Sequence, residues 1–391
     1  MRRISLMVLV LCTALAGCRS SAPPSGARPS PAPSATPASS PSPSPAATAS
    51  GAPQPAQVPA GFGVLSTSWV SERVGWALGV VPCAGGRCVS LVQTGDGGGT
   101  WVPVSAPPVP PATATDALAA QRVRFANLKD GWVFGPGLWS THDGGVRWAR
   151  VSLPGASGAQ VSSLEASAGS VHAVLLDGPK LRIESSPVGS ESWQPSPLEL
   201  PVGAGPVPEA QLVLQGPAGW LVEVNRVVVG GGRLQGGRWT AWDPPCLDAG
   251  GPAVLASSSM ADVVAVCNEG LWTGPEVAIR AYESGDGGTT FRRLAAVLPK
   301  GSDGDVARPG PRTIAVAGST DAGTPTITAT FDEGVTWRTV YRGKARRVLR
   351  ELGFTSATQG VGVETAPDGL GGRVLLTHDG GRTWALLRLG S

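Results

Sequence analysis

An octapeptide of the form Ser/Thr-x-Asp-x-Gly-x-Thr-Trp recurs along this chain at an almost constant interval. Five clear copies place their aspartate at Asp96, Asp143, Asp286, Asp332 and Asp379. Most neighbouring aspartates lie 46 or 47 positions apart, and the one long interval, from 143 to 286, equals three periods of about 48. A fixed period of this length indicates a repeat architecture.

The long interval predicts two degenerate copies of the octapeptide. Two segments at the expected positions match it in part but lack the aspartate. Ser186–Trp193 has Val188 at the aspartate position, and Gly232–Trp239 has Leu234 there. Seven units result, and each unit is long enough for several short strands. A period in the forties is typical of a propeller blade. The sequence therefore predicts an all-β fold, a seven-bladed β-propeller whose blades have four antiparallel strands joined by octapeptide hairpins.

The first unit illustrates the predicted blade, with strands at 64–68, 75–80, 88–93 and 101–104. The chain ends shortly after the last octapeptide, so no strand is left over to complete another blade. We therefore expect the ring to close by packing between the first and last blades. Exchange of a terminal strand is the alternative.

The residue types of the octapeptide indicate a structural role. An aspartate in such a turn accepts hydrogen bonds from backbone N–H groups a few residues on. Glycine supplies a positive φ at little cost, and a terminal tryptophan adds a large apolar surface to the core. We expect the five aspartates to stabilise hairpins rather than to catalyse. The tryptophans that end the octapeptides are expected to be structural as well: Trp101, Trp148, Trp337 and Trp384.

The octapeptide resembles the Asp-box, or BNR repeat, of sialidase-superfamily propellers. Phe125 and Gly131-Trp132, followed by Thr141-His-Asp143-Gly-Gly145, are similar to the paired motifs of the photosystem II assembly-factor propellers. That resemblance covers residues 60–391. It implies a seven-bladed ring that serves as an assembly or binding scaffold and is not an enzyme.

The first residues resemble a lipoprotein export signal. Two arginines precede an apolar run of about 14 residues, too short for a transmembrane helix, and the run ends in Leu15-Ala-Gly-Cys18. The match to the bacterial lipobox implies lipidation at Cys18. An ordinary signal peptide with an incidental Cys18 is the alternative. We predict a signal over 1–18, a Pro/Ser/Ala-rich disordered tether over 19–59, and the propeller over 60–391.

Four cysteines remain after Cys12 and Cys18. An exported protein favours disulfides, and three connectivities are open. We favour Cys83–Cys88 and Cys246–Cys267, because each pair falls within one repeat unit.

The spacing of the cysteines and the three histidines does not predict a metal site. His142 and His378 occupy the variable position of their octapeptides, so we expect them in exposed turns, and His172 lies in a strand-like segment as a packed residue. The glycine-rich stretch 230–237 lacks phosphate-loop spacing. We predict no metal and no cofactor.

Two classes of function remain open. A sialidase-like enzyme would need an arginine triad and a tyrosine–glutamate pair, yet Tyr282 and Tyr341 both lie near octapeptides, away from the expected central cavity. Carboxylates for other glycosidase chemistry cannot be paired from sequence; the candidates are Glu165, Glu223 and Glu364. An enzyme should gather two or more carboxylates with Arg or Tyr in the central channel, whereas a scaffold should not.

We therefore predict a membrane-anchored extracytoplasmic binding or scaffold module, with a glycoside hydrolase or lectin-like glycan binder as the alternative. The expected partners are the membrane, through the lipid, and an unknown protein or glycan at the propeller face. A net charge of +3 is too small to indicate nucleic-acid binding, and a monomer is expected. The densest charge is a run of five cations, which we expect to form a solvated inter-blade loop, with a contact for an anionic partner, a lipid headgroup or a cell-wall polymer as the alternative: Arg342, Lys344, Arg346, Arg347 and Arg350.

Overall fold

The computed structural model describes residues 57–389, apart from gaps at 85, 110–121, 136, 157, 204–208, 248–249, 271–277, 303, 367–370 and 388. The predicted signal, Cys18 and residues 19–56 of the predicted tether lie outside the described residues. No helix of the described part has the length and apolar character needed to cross a membrane.

The described chain forms seven sheets, each of four antiparallel strands that follow one another in sequence, which confirms the predicted seven-bladed β-propeller. The strands of the seven blades, in order, are β1 (Gly63–Trp69), β2 (Gly75–Cys83), β3 (Gly86–Thr94), β4 (Val102–Val104); β5 (Arg122–Phe125), β6 (Gly131–Phe134), β7 (Leu138–Thr141), β8 (Ala149–Arg150); β9 (Gln160–Ser167), β10 (Ser170–Asp177), β11 (Lys180–Pro187), β12 (Gln194–Pro201); β13 (Glu209–Gln215), β14 (Ala218–Asn225), β15 (Val227–Gln235), β16 (Arg238–Trp242); β17 (Ala253–Ser257), β18 (Val263–Glu269), β19 (Ala278–Ser284), β20 (Arg292–Val297); β21 (Val306–Gly310), β22 (Thr313–Ser319), β23 (Pro325–Thr330), β24 (Arg338–Arg342); β25 (Val348–Phe354), β26 (Gly360–Thr365), β27 (Arg373–Thr377) and β28 (Ala385–Leu387).

This antiparallel order gives the ring two distinct faces. We call the face that carries the hairpins between third and fourth strands, and the loops between first and second strands, the box face. The opposite face carries the loops between second and third strands and the connections from one blade to the next. The first strand of each blade lies innermost, around the central channel, as in propellers generally.

The octapeptide hairpins share one set of hydrogen bonds, seen clearly in the first blade. The Thr94 hydroxyl donates to Asp96 Oδ1 (2.8 Å) and accepts from the Gly98 amide (2.9 Å), and Asp96 accepts from the Thr100 amide (2.8 Å) and hydroxyl (2.7 Å). Bonds from the Thr100 backbone and side chain lower the pKa of Asp96 to about 2. The Gly97 amide, at φ 79°, bonds to Arg73 O (2.8 Å) in the neighbouring loop of the same blade.

The two degenerate copies differ from the intact hairpins and from each other. In blade 3 the Val188 amide itself bonds to Gly169 O (2.9 Å), one position earlier than in intact copies. In blade 4 the predicted frame is wrong. Leu234 is not in a turn but is buried in β15 opposite Trp239, and Gly236-Gly237 forms a two-residue hairpin with φ values of 58° and 77°. Positive φ at both central residues is typical of a type I′ turn, which needs no aspartate.

Between each pair of neighbouring blades, the described residues form a hydrophobic cluster, so the core of the protein is a ring of seven interfaces. Trp76, Trp132 and Trp220, which lie near the start of the second strands of three blades, are fully buried in these clusters. Trp76 stacks on Phe125 of the next blade with a centroid distance of 3.8 Å. Aromatic packing of this kind adds to the burial of apolar area.

Ring closure uses packing and not an exchanged strand within the described residues, as expected. Val64 and Trp101 of blade 1 pack with Val363 and Val374 of blade 7. The Val64 amide also donates to Gly372 O (3.0 Å), which forms a single bridge between the terminal blades.

Both predicted disulfides are present. Cys83–Cys88 joins β2 and β3 at the end of their hairpin, with a sequence separation of 5. Cys246–Cys267, with a separation of 21, ties the connection that follows blade 4 to β18 of blade 5, and both of its cysteines are fully buried.

We expect the Cys246→Ala/Cys267→Ala double variant to lose about 3 kcal/mol of unfolding free energy and the Cys83→Ala/Cys88→Ala variant about 2 kcal/mol, because the first pair closes a longer loop. Chemical denaturation with and without dithiothreitol measures both. A wild-type melting temperature that does not change in dithiothreitol would contradict this role.

Candidate functional site

The first strand of each blade has an edge that its own sheet leaves unpaired, and side chains of the preceding blade bond to several of these edges. Ser66 Oγ accepts from the Val123 amide of blade 2 (3.1 Å), and Ser68 Oγ accepts from the Phe125 amide (2.8 Å). The Gln211 side chain of blade 4 bonds to both the amide and the carbonyl of Leu255 in blade 5 (2.7 and 3.1 Å). The polar lining of the channel thus connects blades.

Glu351 makes the most extensive of these connections. It lies in a bulge of β25 with a positive φ of 54°, a conformation that costs a non-glycine residue energy and re-aims its side chain. Its carboxylate accepts from the Ser66 hydroxyl (2.7 Å) and the Thr67 amide (2.9 Å) of blade 1. Its own amide donates to Asp305 Oδ2 of blade 6 (2.5 Å). One residue therefore joins blades 6, 7 and 1.

Arg124 extends this cluster to blades 2 and 3. Its Nε donates to Glu165 Oε1 (2.7 Å), and its Nη1 lies 3.8 Å from Glu351 Oε1. The same Nη1 donates to the carbonyls of Thr67 (3.2 Å) and Val123 (2.8 Å). Burial opposes the charge, but Glu165 and Glu351 outweigh it and raise the pKa of Arg124 above its usual value. We call Arg124, Glu165, Asp305 and Glu351 the channel cluster.

The channel cluster meets the geometric condition set for an enzyme, since carboxylates and an arginine lie together in the channel. Each carboxylate, however, already has a partner: Glu165 binds Arg124, Glu351 binds Ser66 and Thr67, and Asp305 accepts from a backbone amide. A general acid or base needs a group that can reach the substrate. The arrangement is that of an inter-blade connection.

The three glutamates proposed from sequence do not form one site. Glu165 belongs to the channel cluster, Glu223 is buried in β14 of blade 4, and Glu364 is buried in β26 of blade 7. Glu223 Oε1 accepts from the Gly203 amide (3.0 Å), while burial raises the pKa of this carboxyl. No pair of them has the shared environment that glycosidase chemistry requires.

Both tyrosines pair with glutamates outside the channel cluster. The Tyr282 hydroxyl donates to Glu269 rather than to its sequence neighbour Glu283. Tyr341 of blade 6 donates to Glu364 Oε2 of blade 7 (2.6 Å). Burial and the bond to Glu269 raise the pKa of Tyr282 to about 12, so the neutral phenol is favoured and not a nucleophilic phenolate.

The histidines take structural positions. His172 is buried against Trp239 and bonds to Ser185 Oγ (2.6 Å), as expected of a packed residue, and burial lowers its pKa to about 4. His142 is more connected than a simple exposed turn, because its ring nitrogens contact Asp130 (2.8 Å) and Glu191 (3.0 Å) and so link blades 2 and 3. Across the described residues, no cluster of His, Cys, Asp or Glu has the geometry of a metal site.

A cleft of about 360 Å³ opens on the box face between blades 4 and 5. Trp220, Leu234, Met260 and Arg233 contribute to its lining, and the Arg233 guanidinium reaches Thr289 Oγ1 (3.0 Å) across the junction. Sequence reasoning missed this cleft. The available signal was the glycine pair Gly236-Gly237 that replaces an octapeptide turn.

Sequence reasoning also missed Ser66, Arg124, Asp305 and Glu351. Their partners in other blades lie 41 to 285 positions away in sequence. The one local signal is a charged residue within a short, otherwise apolar inner strand, as in Arg122-Val-Arg124-Phe.

Comparison with known proteins supports the fold and does not extend to activity. No protein-family model and no curated protein matches the chain. The solved structure of YCF48 bound to D1 peptide has a TM-score of 0.55 and 20% identity, covering 83% of this chain and 98% of that one. YCF48 from Cyanidioschyzon merolae has a TM-score of 0.55 and 15% identity with the same coverage. An acylaminoacyl peptidase from Pyrococcus horikoshii has a TM-score of 0.51 and 8% identity, covering 84% of this chain and 52% of that one.

These identities establish a shared fold only, because one fold hosts many functions. The expected similarity to the photosystem II assembly-factor propellers is confirmed at that level, in the likeness to YCF48.

We expect Glu351→Ala to lower the unfolding free energy by about 3 kcal/mol, because the change leaves buried donors of blade 1 without their acceptor and Arg124 without one of its carboxylates. Urea denaturation measures the loss. Glu199→Ala is the matched control, since this exposed glutamate forms a surface salt bridge with Lys180 at the rim of blade 3, and its loss should cost at most about 1 kcal/mol. Equal losses in both variants would contradict the role assigned to Glu351.

Proposed function

We propose that this chain is a membrane-anchored, extracytoplasmic binding propeller without catalytic activity. The observation that carries the proposal is that each carboxylate of the channel cluster is bonded to a group of a neighbouring blade. Groups engaged in holding the ring are poorly suited to exchange protons with a substrate. Binding would then use the loops of the two faces, where propellers and other rigid scaffolds usually present their contacts.

A protein partner is the form of binding that we favour. YCF48, which shares this fold, has a structure with a D1 peptide bound to it. The cleft between blades 4 and 5 offers a mostly apolar lining next to Arg233, a combination suited to a peptide side chain. Membrane anchoring rests on the arginine pair, the apolar run and Cys18 in the sequence. A propeller so anchored would present its faces to partners outside the cytoplasm.

A carbohydrate-active or glycan-binding role is the second candidate. Arg124 between Glu165 and Glu351 favours it, because arginine and carboxylate groups in a channel can bond to sugar hydroxyls. For hydrolysis, one of these carboxylates would have to leave its present partner.

The two candidates differ in the expected behaviour of Glu165→Gln. If the propeller only binds, the wild type should release no reducing sugar from a panel of polysaccharides, and neither should this variant. The amide keeps an acceptor for Arg124, so most of the fold's stability should remain. Sugar release by the wild type that disappears in Glu165→Gln, at an unchanged melting temperature, would overturn the non-catalytic proposal.

We expect Cys18→Ser to move the protein from the membrane fraction to the soluble extracytoplasmic fraction, because the serine hydroxyl cannot form the thioether to the diacylglyceryl group. Fractionation followed by immunoblotting measures the change. Cys12→Ser is the matched control and should remain with the membrane, since Cys12 lies inside the apolar run. Continued membrane association of Cys18→Ser after a high-salt wash, which removes protein held only by charge, would exclude the lipid anchor at this position.

A further inference from the structure

The connection between blades 6 and 7 concentrates positive charge on the opposite face. We call residues 342–350 the basic loop; it runs from the end of β24 into the start of β25. Its half-buried member, Arg347, contacts the fold, whereas four other cations are exposed: Arg342, Lys344, Arg346 and Arg350. Val348, 39% exposed, lies among them.

Hydrogen bonds to neighbouring strands and loops hold this loop in place. The Gly343 amide donates to Pro325 O (2.8 Å), and the Arg346 amide donates to Gly323 O (2.9 Å). Arg346 has a positive φ of 63°, so these contacts keep a non-glycine residue in an unfavourable conformation. The guanidinium of Arg347 donates to Gly371 O from both terminal nitrogens (3.3 Å each). The exposed cations therefore project from a fixed backbone.

Within the described part of the chain, no carboxylate forms a salt bridge with the four exposed cations of the loop. Glu364 is the carboxylate at the base of the loop, but it is fully buried and already bound to Tyr341 (2.6 Å) and Arg373 (2.9 Å). Among the described residues, salt bridges in this region involve only Arg347 and Arg373, both with Glu364. The patch contrasts with the whole chain, whose net charge is only +3.

The chain enters the propeller on the same face, beside this patch. β1 begins at Gly63, which packs so closely on Gly371 that an added Cβ would lie 2.7 Å from its Cα. Gly371 is the residue to which Arg347 donates. Phe62, just before β1, packs in the cluster between blades 1 and 7. The chain thus enters β1 next to the basic loop.

We propose that the basic loop docks the opposite face onto an anionic phospholipid surface. The proposal rests on the membrane anchoring of the proposed function, which would bring this face to the bilayer. Each Lys or Arg near an anionic leaflet favours binding by about 1 kcal/mol, roughly five-fold in partitioning. Polybasic segments commonly act together with an acyl chain. The box face, with the cleft between blades 4 and 5, then points away from the membrane toward partners.

Vesicle flotation with the full chain carrying Cys18→Ser tests the loop without the lipid. We expect binding to phosphatidylcholine vesicles that contain phosphatidylglycerol, little binding to pure phosphatidylcholine, and weakening with added salt. Lys344→Gln/Arg346→Gln should reduce the partition coefficient about 25-fold. The matched control, Arg238→Gln/Arg312→Gln, removes the same charge from exposed positions on the box face and should change it by about two-fold or less.

Equal losses in the loop and control variants, or no binding to the anionic vesicles, would overturn the proposal. Binding of a soluble poly(glycerol phosphate) that depends on the loop while the vesicles do not bind would assign the patch to an anionic polymer instead. Displacement of the vesicles by inorganic phosphate at matched ionic strength would show that the patch binds a free anion and would overturn docking on phospholipid. Because membrane release of Cys18→Ser is measured separately in cells, failure of the docking proposal is distinguishable from failure of the anchor.

Discussion

The structure depends on how the free inner edges of separate sheets are satisfied. A strand edge with unpaired amide and carbonyl groups invites aggregation unless it is covered. Here side chains from one blade bond to the inner strand of the next, through Ser66 and Ser68, through Gln211, and through Glu351 with its strained backbone. Apolar clusters between neighbouring blades supply the remaining cohesion. The ring can therefore close without an exchanged strand among the described residues.

These bonds between blades bear on function, because they engage the charged groups of the channel cluster. Arg124, Glu165 and Glu351 together look like a catalytic set by composition, yet their bonds run between blades. Proximity of charged residues is thus a weaker criterion for an active site than the presence of groups left unengaged.

The faces differ in chemistry as well as in topology. The box face holds the hairpins in which Asp96 and its equivalents accept several hydrogen bonds each, and a cleft opens on it beside the glycine-pair turn of blade 4. The opposite face carries the basic loop and the entry of the chain beside Gly63. A propeller held to a membrane by the second face would leave the first one available to partners.

The sequence by itself determined the elements whose causes are local. Seven units and the five intact hairpins follow from turn chemistry and spacing within about fifty residues, and the cysteine pairing favoured among three open ones is the one observed. Tertiary structure alone decided where Leu234 points, since a glycine pair can replace the octapeptide by a type I′ turn and move the register. Tertiary structure also decided which residues form the channel cluster and which partners His142 and Tyr282 have. These contacts depend on how strands are aligned within a blade and between blades. A side chain's partner across a blade interface depends on strand register and bulges, and no short-range pattern records that alignment.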